Sequence, residues 1–288
     1  MSFGAVGVVG GGVMGTGIAE VLARSGSTVT IIDVDDNALA ASKARLLAST
    51  GRALERAKLT ETQVHELRDR VSWHTDLATL SGCGLVIEAV TEREEAKVSL
   101  FERLASVVAA DAVVATNTSA LSVTRLATCM PHPQRFLGLH FFNPAPVRRL
   151  VEVISGQLTD PDVFTSVARY LRQDVGAEVI MAQDRPGFVV NALLTPYLLS
   201  AIRMLEAGHA MAEEIDLGMV QGCAHPIGPL RLADMVGLDT LRSAAESMYA
   251  ALHEPQYAPP PLLVRMVDAG LHGVKTGRGF YGYGDDAA

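Results

Sequence analysis

The sequence predicts an α/β chain in two parts: a mostly parallel sheet flanked by helices over residues 1–184, then an all-α domain over residues 185–288. Three observations carry this reading. Short apolar runs alternate with longer amphipathic segments through the first part, which is the rhythm of βαβ units. A glycine-rich stretch, Gly10-Gly11-Gly12-Val13-Met14-Gly15, stands between the first apolar run and the first helical segment. The alternation stops at Gln183-Asp184-Arg185-Pro186-Gly187, and only helical patterns follow.

In chain order, residues 5–9, 28–32, 85–90, 112–115 and 136–141 read as strands, with helices over 17–24, 37–58, 93–108 and 122–127 between them. Strands at 150–154 and 177–181, joined by a helix over 162–172, complete the sheet. Helices near 189–207, 212–221, 238–252 and 261–270 form the second domain. The first of these is apolar around much of its circumference and needs cover on several sides. A second copy of the chain would supply that cover, so a homodimer through the C-terminal domain is expected.

Composition narrows the function classes. Hydrophobic residues make up 49% and charged residues 19%, which excludes a disordered chain. A formal charge of −8 argues against a nucleic-acid backbone as partner. Cys83, Cys129 and Cys223 are odd in number and scattered, so buried free thiols are expected in place of disulfides or a zinc site. Only Met1-Ser2-Phe3 precedes the first apolar run, too little for a leader. The stretch 187–205 is interrupted by Asn191, Pro196 and Arg203 and reads as a buried helix, not a membrane span. A cytoplasmic enzyme is the expectation.

The glycine stretch matches GxGxxG in the context it requires, after a strand and opening a helix. Gly10 permits a tight turn, Gly12 lets the backbone approach a pyrophosphate, and Gly15 allows close helix–strand packing. Asp33 closes the next strand eighteen residues after Gly15. A carboxylate there accepts hydrogen bonds from ribose hydroxyls and repels a 2′-phosphate, so NAD is favoured over NADP. Asp35 and Asp36 read as capping or solvated acids.

A second constellation names a chemistry. His140 ends an apolar strand within Gly138-Leu139-His140-Phe141-Phe142-Asn143-Pro144, and Glu152 follows twelve residues later. The two are symmetric about Pro146, in the breaker-rich run Asn143-Pro144-Ala145-Pro146, so a simple chain reversal brings a base and its orienter together. Upstream, Thr116-Asn117-Thr118-Ser119 adds polar groups at another strand end. The remaining histidines show no ligand-like pairing, and no metal is expected.

Taken together, these motifs resemble the short-chain L-3-hydroxyacyl-CoA dehydrogenases, a family that includes bacterial 3-hydroxybutyryl-CoA dehydrogenases. The resemblance runs from GGGVMG at Gly10 through NTS at Asn117, GLHFFNP at Gly138 and PGFVVN at Pro186 to KTGRGFYGY at Lys275. It implies a Rossmann-like NAD domain, a helical dimerisation domain and a substrate cleft between them. On this resemblance His140 is the general base and acid, Glu152 its orienter, and Ser119 and Asn191 hold the substrate near its reacting oxygen. Glu92, Lys97, Asn143 and Lys275, with Ser119, match cofactor contacts. Ser49 and Arg56, seven apart on one predicted helix, match a coenzyme A contact, with Lys58 nearby. Lys97 and Lys275 are two of only four lysines against twenty arginines, although Lys97 beside Glu94 and Glu95 also reads as an exposed helix face.

Two departures bear on the substrate. Arg148 stands where the family often has methionine, and Ala192 where it often has arginine. A cation beside the catalytic loop motivates an alternative substrate, a hydroxyacyl carrier-protein thioester or a free hydroxy acid. A reading from another class is a non-catalytic NAD-binding structural protein, against which the presence of Ser119, His140, Glu152 and Asn191 together speaks.

Overall fold

The glycine loop joins β1 (Ala5–Val9) to α1 (Val13–Arg24) in the computed structural model, which describes residues 3–284. Met1 and Ser2, part of the stretch read as too short for a leader, lie outside the described residues. The chain divides into two compact units, Met1–Arg185 and Pro186–Ala288.

The first unit continues with β2 (Thr28–Ile32), α2 (Asp36–Glu55), α3 (Glu61–Asp69), β3 (Val71–His74), β4 (Cys83–Glu88) and α4 (Glu94–Leu104). It ends with β5 (Val113–Thr116), α5 (Val123–Ala127), β6 (Phe136–Phe141), β7 (Leu150–Ser155), α6 (Pro161–Gln173) and β8 (Glu178–Gln183). The eight strands form one sheet in the order β3-β2-β1-β4-β5-β6-β7-β8. Every pairing is parallel except β6 with β7. That exception has a covalent cause: the link between β6 and β7 contains no helix, and a parallel return needs a crossover of a dozen or more residues. The central strands are apolar on both faces because helices cover both. Ile18 and Leu22 of α1 join Val6, Val8, Ile31, Leu85 and Leu139 in one buried core.

The helix α3 and the strand β3 were not expected from the sequence, for a physical reason. Only Val64 and Leu67 of α3 are buried, so its apolar period is too sparse to register. The local signal is a capping box between Thr60 and Gln63. β3 is a four-residue edge strand whose only buried member is Val71. Helix α2 stops at Glu55, short of residue 58, and the chain turns through Ala57 at a φ of 52°. Asp35 caps that helix, accepting the Ala38 N–H at 2.8 Å.

The second unit is helical: α7 (Val190–Glu206), α8 (Ala212–Cys223), α9 (Pro229–Val236), α10 (Leu238–Leu252) and α11 (Pro261–Asp268). The short α9, opened by Pro229, is not among the helices expected from the sequence. Leu198, Leu199, Ile202, Leu230, Leu238 and Leu263 form its core. Two buried carboxylates hold its C-terminal segment. Asp234 accepts N–H bonds from Phe280 and Tyr281 and the Tyr283 hydroxyl, and Asp216 accepts the Leu230 and Arg231 N–H groups and the Tyr281 hydroxyl. Gly279 is required there, since a Cβ would lie 1.9 Å from Asp234 Oδ1. Among the described residues, no helix is long and apolar enough to cross a membrane.

Candidate active site

The dinucleotide loop is shaped by contacts that exclude side chains. Gly10 has a φ of +100°, and a Cβ on it would lie 2.6 Å from the Ala89 carbonyl oxygen. A Cβ on Gly15 would lie 1.7 Å from the Gly10 carbonyl oxygen, so α1 packs directly on the loop. Gly12 differs: a Cβ there would meet nothing within 4 Å, and Gly12 caps α1 without a side-chain hydrogen bond. Gly12 and Val13 are exposed, which leaves the N-terminus of α1 open to a pyrophosphate. Asp33 Oδ2 accepts the Gly11 N–H at 2.7 Å and its Oδ1 accepts the Val34 N–H at 2.7 Å. The acid expected to meet a ribose thus also fixes the loop, with second lone pairs on each oxygen for hydroxyl donors. These residues fit a dinucleotide.

At the far side of the switch from β1 to β4, four strand ends carry polar groups. His140 and Glu152 face each other in the antiparallel register of β6 and β7, and His140 Nδ1 lies 2.6 Å from Glu152 Oε2. Glu152 is fully buried and His140 nearly so. The contact to Glu152 places the proton on Nδ1 and leaves Nε2 as the basic nitrogen. Asn117 ties the neighbouring strand end to this one: its N–H donates to the Glu88 carbonyl at 2.8 Å, and its Oδ1 accepts the Phe141 N–H at 2.9 Å.

Lys97 is 1% exposed, which removes the reading of an open helix face beside Glu94 and Glu95. Its Nζ donates to Glu88 Oε1 at 2.6 Å and pairs with Glu92 Oε2 at 3.2 Å. Glu92 Oε1 in turn accepts the Thr118 hydroxyl at 2.5 Å, the Ser119 N–H at 2.7 Å and the Ser119 hydroxyl at 3.3 Å. Burial alone would raise the Glu92 carboxyl, but the Lys97 ammonium and these donors hold it below the usual carboxylate range. The structure thus brings Glu92, Lys97 and Ser119 into one network.

Other sequence-selected residues are not members of this hydrogen-bond network. Asn143 is exposed, next to the cis bond to Pro144. Ser49 is half-buried in α2, and Arg56 is that helix's exposed C-cap, followed by exposed Lys58. Asn191 opens α7 in the second unit, and Lys275, also in that unit, pairs with Asp239 at 2.5 Å. Arg148 joins Arg24 and Arg149 around a groove that also contains Phe141 and Val151. By strand alternation that is the face opposite His140 and Glu152, so Arg148 does not join the imidazole–carboxylate pair. Sequence reasoning missed Glu88 and the tethering role of Asn117. The signal for Glu88 was present: an acid in the apolar run Leu85-Val86-Ile87-Glu88-Ala89-Val90 has to find a buried cation.

A family model described as 3-hydroxyacyl-CoA dehydrogenase, NAD binding domain, matches residues 5–185, and one described as 3-hydroxyacyl-CoA dehydrogenase, C-terminal domain, matches residues 187–283. The chain belongs to the 3-hydroxyacyl-CoA dehydrogenase family. As a member of it, the protein is an NAD-dependent oxidoreductase. A 3-hydroxybutyryl-CoA dehydrogenase of Mycobacterium tuberculosis is 49% identical over 279 residues, covering 96% of this chain and 98% of the relative. The human mitochondrial hydroxyacyl-coenzyme A dehydrogenase is 39% identical over 96% of this chain and 90% of its own. The crystal structure of (S)-3-hydroxybutyryl-CoA dehydrogenase from Ralstonia eutropha superposes with a TM-score of 0.94 at 41% identity, covering 99% of this chain and all of that one. The mostly parallel sheet followed by helices is therefore the architecture of this dehydrogenase family.

Proposed function

We propose that the protein interconverts short-chain L-3-hydroxyacyl-CoA and 3-ketoacyl-CoA, with His140 as general base and acid. The observation that carries this is the 2.6 Å contact between two buried groups, His140 Nδ1 and Glu152 Oε2, at a strand end beside the Ser119 network. Bound NAD supplies the acceptor for the hydride that leaves C3. His140 Nε2 takes the proton of the 3-hydroxyl as that C–H bond breaks, and Glu152 stabilises the imidazolium that forms. In the reverse direction His140 returns the proton to the carbonyl oxygen. Ser119 and Asn191 hold that oxygen. Gly10, Gly12, Gly15 and Asp33 hold the dinucleotide, with Glu92, Lys97, Asn143 and Lys275 as further contacts. Ser49 and Arg56 meet the coenzyme A moiety.

The chain-length reading rests on relatives at 40–49% identity that are called 3-hydroxybutyryl-CoA dehydrogenases. The position of Arg148 on the sheet face opposite His140 and Glu152 supports the CoA thioester over a carrier-protein thioester or a free hydroxy acid. A homodimer through the helical unit is part of the proposal, supported by the exposure of Leu193 (72%), Met211 (66%) and Leu217 (59%) on α7 and α8 and the residue before α8. So is a cytoplasmic location, in keeping with three free cysteines. The test is direct. Purified protein mixed with acetoacetyl-CoA and NADH is expected to consume NADH, and turnover no greater than that of His140→Ala would overturn the proposal.

A further inference from the structure

Glu88, the last residue of β4, is a fully buried carboxylate. Its carboxylate is surrounded by donors: Lys97 Nζ at 2.6 Å and the Val90 N–H at 2.7 Å on Oε1, and the Thr116 hydroxyl at 2.6 Å on Oε2. Each contact leads to a different part of the site. The Val90 bond fixes the turn after β4, against whose Ala89 carbonyl the Gly10 loop packs. Thr116 ends β5, two residues before the Thr118 and Ser119 that Glu92 gathers. Lys97 carries the link to Glu92.

Strand order sets what this cluster faces. Asp33 follows β2 and His140 lies in β6, and β1, β4 and β5 stand between them. A dinucleotide that meets Asp33 at one end and delivers its acceptor to an alcohol beside His140 at the other has to cross the ends of β4 and β5. The Glu88, Lys97 and Glu92 side chains sit there with two negative charges and one positive; Glu88 and Lys97 are buried, where screening is weak, and the Glu92 side chain is 39% exposed.

We propose that Glu88 is a positioning residue that anchors Lys97 and, through it, Glu92 and Ser119, and that the net negative charge of this trio favours the cationic ring of NAD+ over the neutral ring of NADH. The inference rests on NAD binding and on the position of His140 in the proposed function, not on the acyl substrate.

The test separates charge from mere support. Dissociation constants of NAD+ and NADH are measured by calorimetry for the wild type, Glu88→Gln, Lys97→Met and the double variant, with thermal melts to confirm folding. The trio's net charge is −1 in the wild type, 0 in Glu88→Gln, −2 in Lys97→Met and −1 in the double variant. The preference for NAD+ over NADH is expected to fall about threefold or more in Glu88→Gln, to rise by a similar factor in Lys97→Met, and to return to within about twofold of wild type in the double variant. Should Lys97→Met not fold, Glu88→Gln against the double variant decides the same question. Both single variants shifting the ratio in one direction, or folded Glu88→Gln leaving it unchanged, overturns the proposal. This pattern across the variants, together with wild-type protein that fails to turn over acetoacetyl-CoA, overturns the substrate assignment and leaves this one standing.

Discussion

At the scale of single residues, the His140–Glu152 pair makes the sharpest prediction. Glu152→Gln keeps the side-chain size but replaces the carboxylate that holds the Nδ1 proton and offsets the imidazolium. It is expected to lower kcat about a hundredfold or more with little change in KM for NADH, as measured by steady-state kinetics with acetoacetyl-CoA. Ser119 carries a second constraint. Its Oγ donates its single proton to Glu92 Oε1 across 3.3 Å, so donation to a substrate oxygen requires the hydroxyl to turn, while the Ser119 N–H stays on Glu92. Glu92 itself gives a pH prediction. Its pKa is lower in the folded chain than in the unfolded one, so the folded state binds fewer protons. The stability it contributes is present above the ordinary carboxylate pKa and is lost as pH falls through the lower folded value. Melting temperatures of Glu92→Gln are therefore expected to fall less steeply than wild type below about pH 4.5, by a small margin because the side chain is 39% exposed. An equal slope in both proteins contradicts this.

At the scale of elements, two glycines do the most specific packing. A Cβ on Gly15 would occupy the space of the Gly10 carbonyl oxygen, so Gly15→Ala forces α1 away from β1 and is expected to abolish NAD binding in calorimetry. Gly279→Ala pushes a methyl into Asp234, which holds the C-terminal segment through three hydrogen bonds. The loss is expected to be about 2–4 kcal/mol by chemical denaturation, most of it from a buried carboxylate left short of donors. Elements of strong period were legible beforehand, namely β1, β2, β6 and α1. Elements of weak period were not: α3 presents two buried residues and β3 one, so their place comes from packing beside α2 and β2 and not from their own pattern.

For the whole molecule, ligand linkage provides a check on the cofactor. Because NAD binds the folded first unit and not the unfolded chain, NAD+ at a hundred times its dissociation constant is expected to add about 2.7 kcal/mol, and NADP+ at the same concentration much less. Assembly is tested at the helical face. Leu193→Glu combined with Leu217→Glu places charge on residues that are largely exposed in one chain, and sedimentation is expected to show a shift from dimer to monomer. A monomer in both proteins would remove the dimer from the proposed function.

The alternation of the strong-period strands and helices, the glycine loop, Asp33 and the pairing of His140 with Glu152 were readable from the chain, because each depends on neighbours close in sequence. Side-chain period, turn chemistry and a twelve-residue reversal are short-range properties. What only the tertiary structure decided was which distant groups meet in the interior. Thr116 reaches Glu88 across two paired strands, Lys97 turns inward from a helix that reads as exposed, and Arg148 falls on the face away from the imidazole. Those outcomes depend on sheet order and strand register, which place residues far apart in the chain side by side, and a buried charge is stable only where that placement supplies its partner.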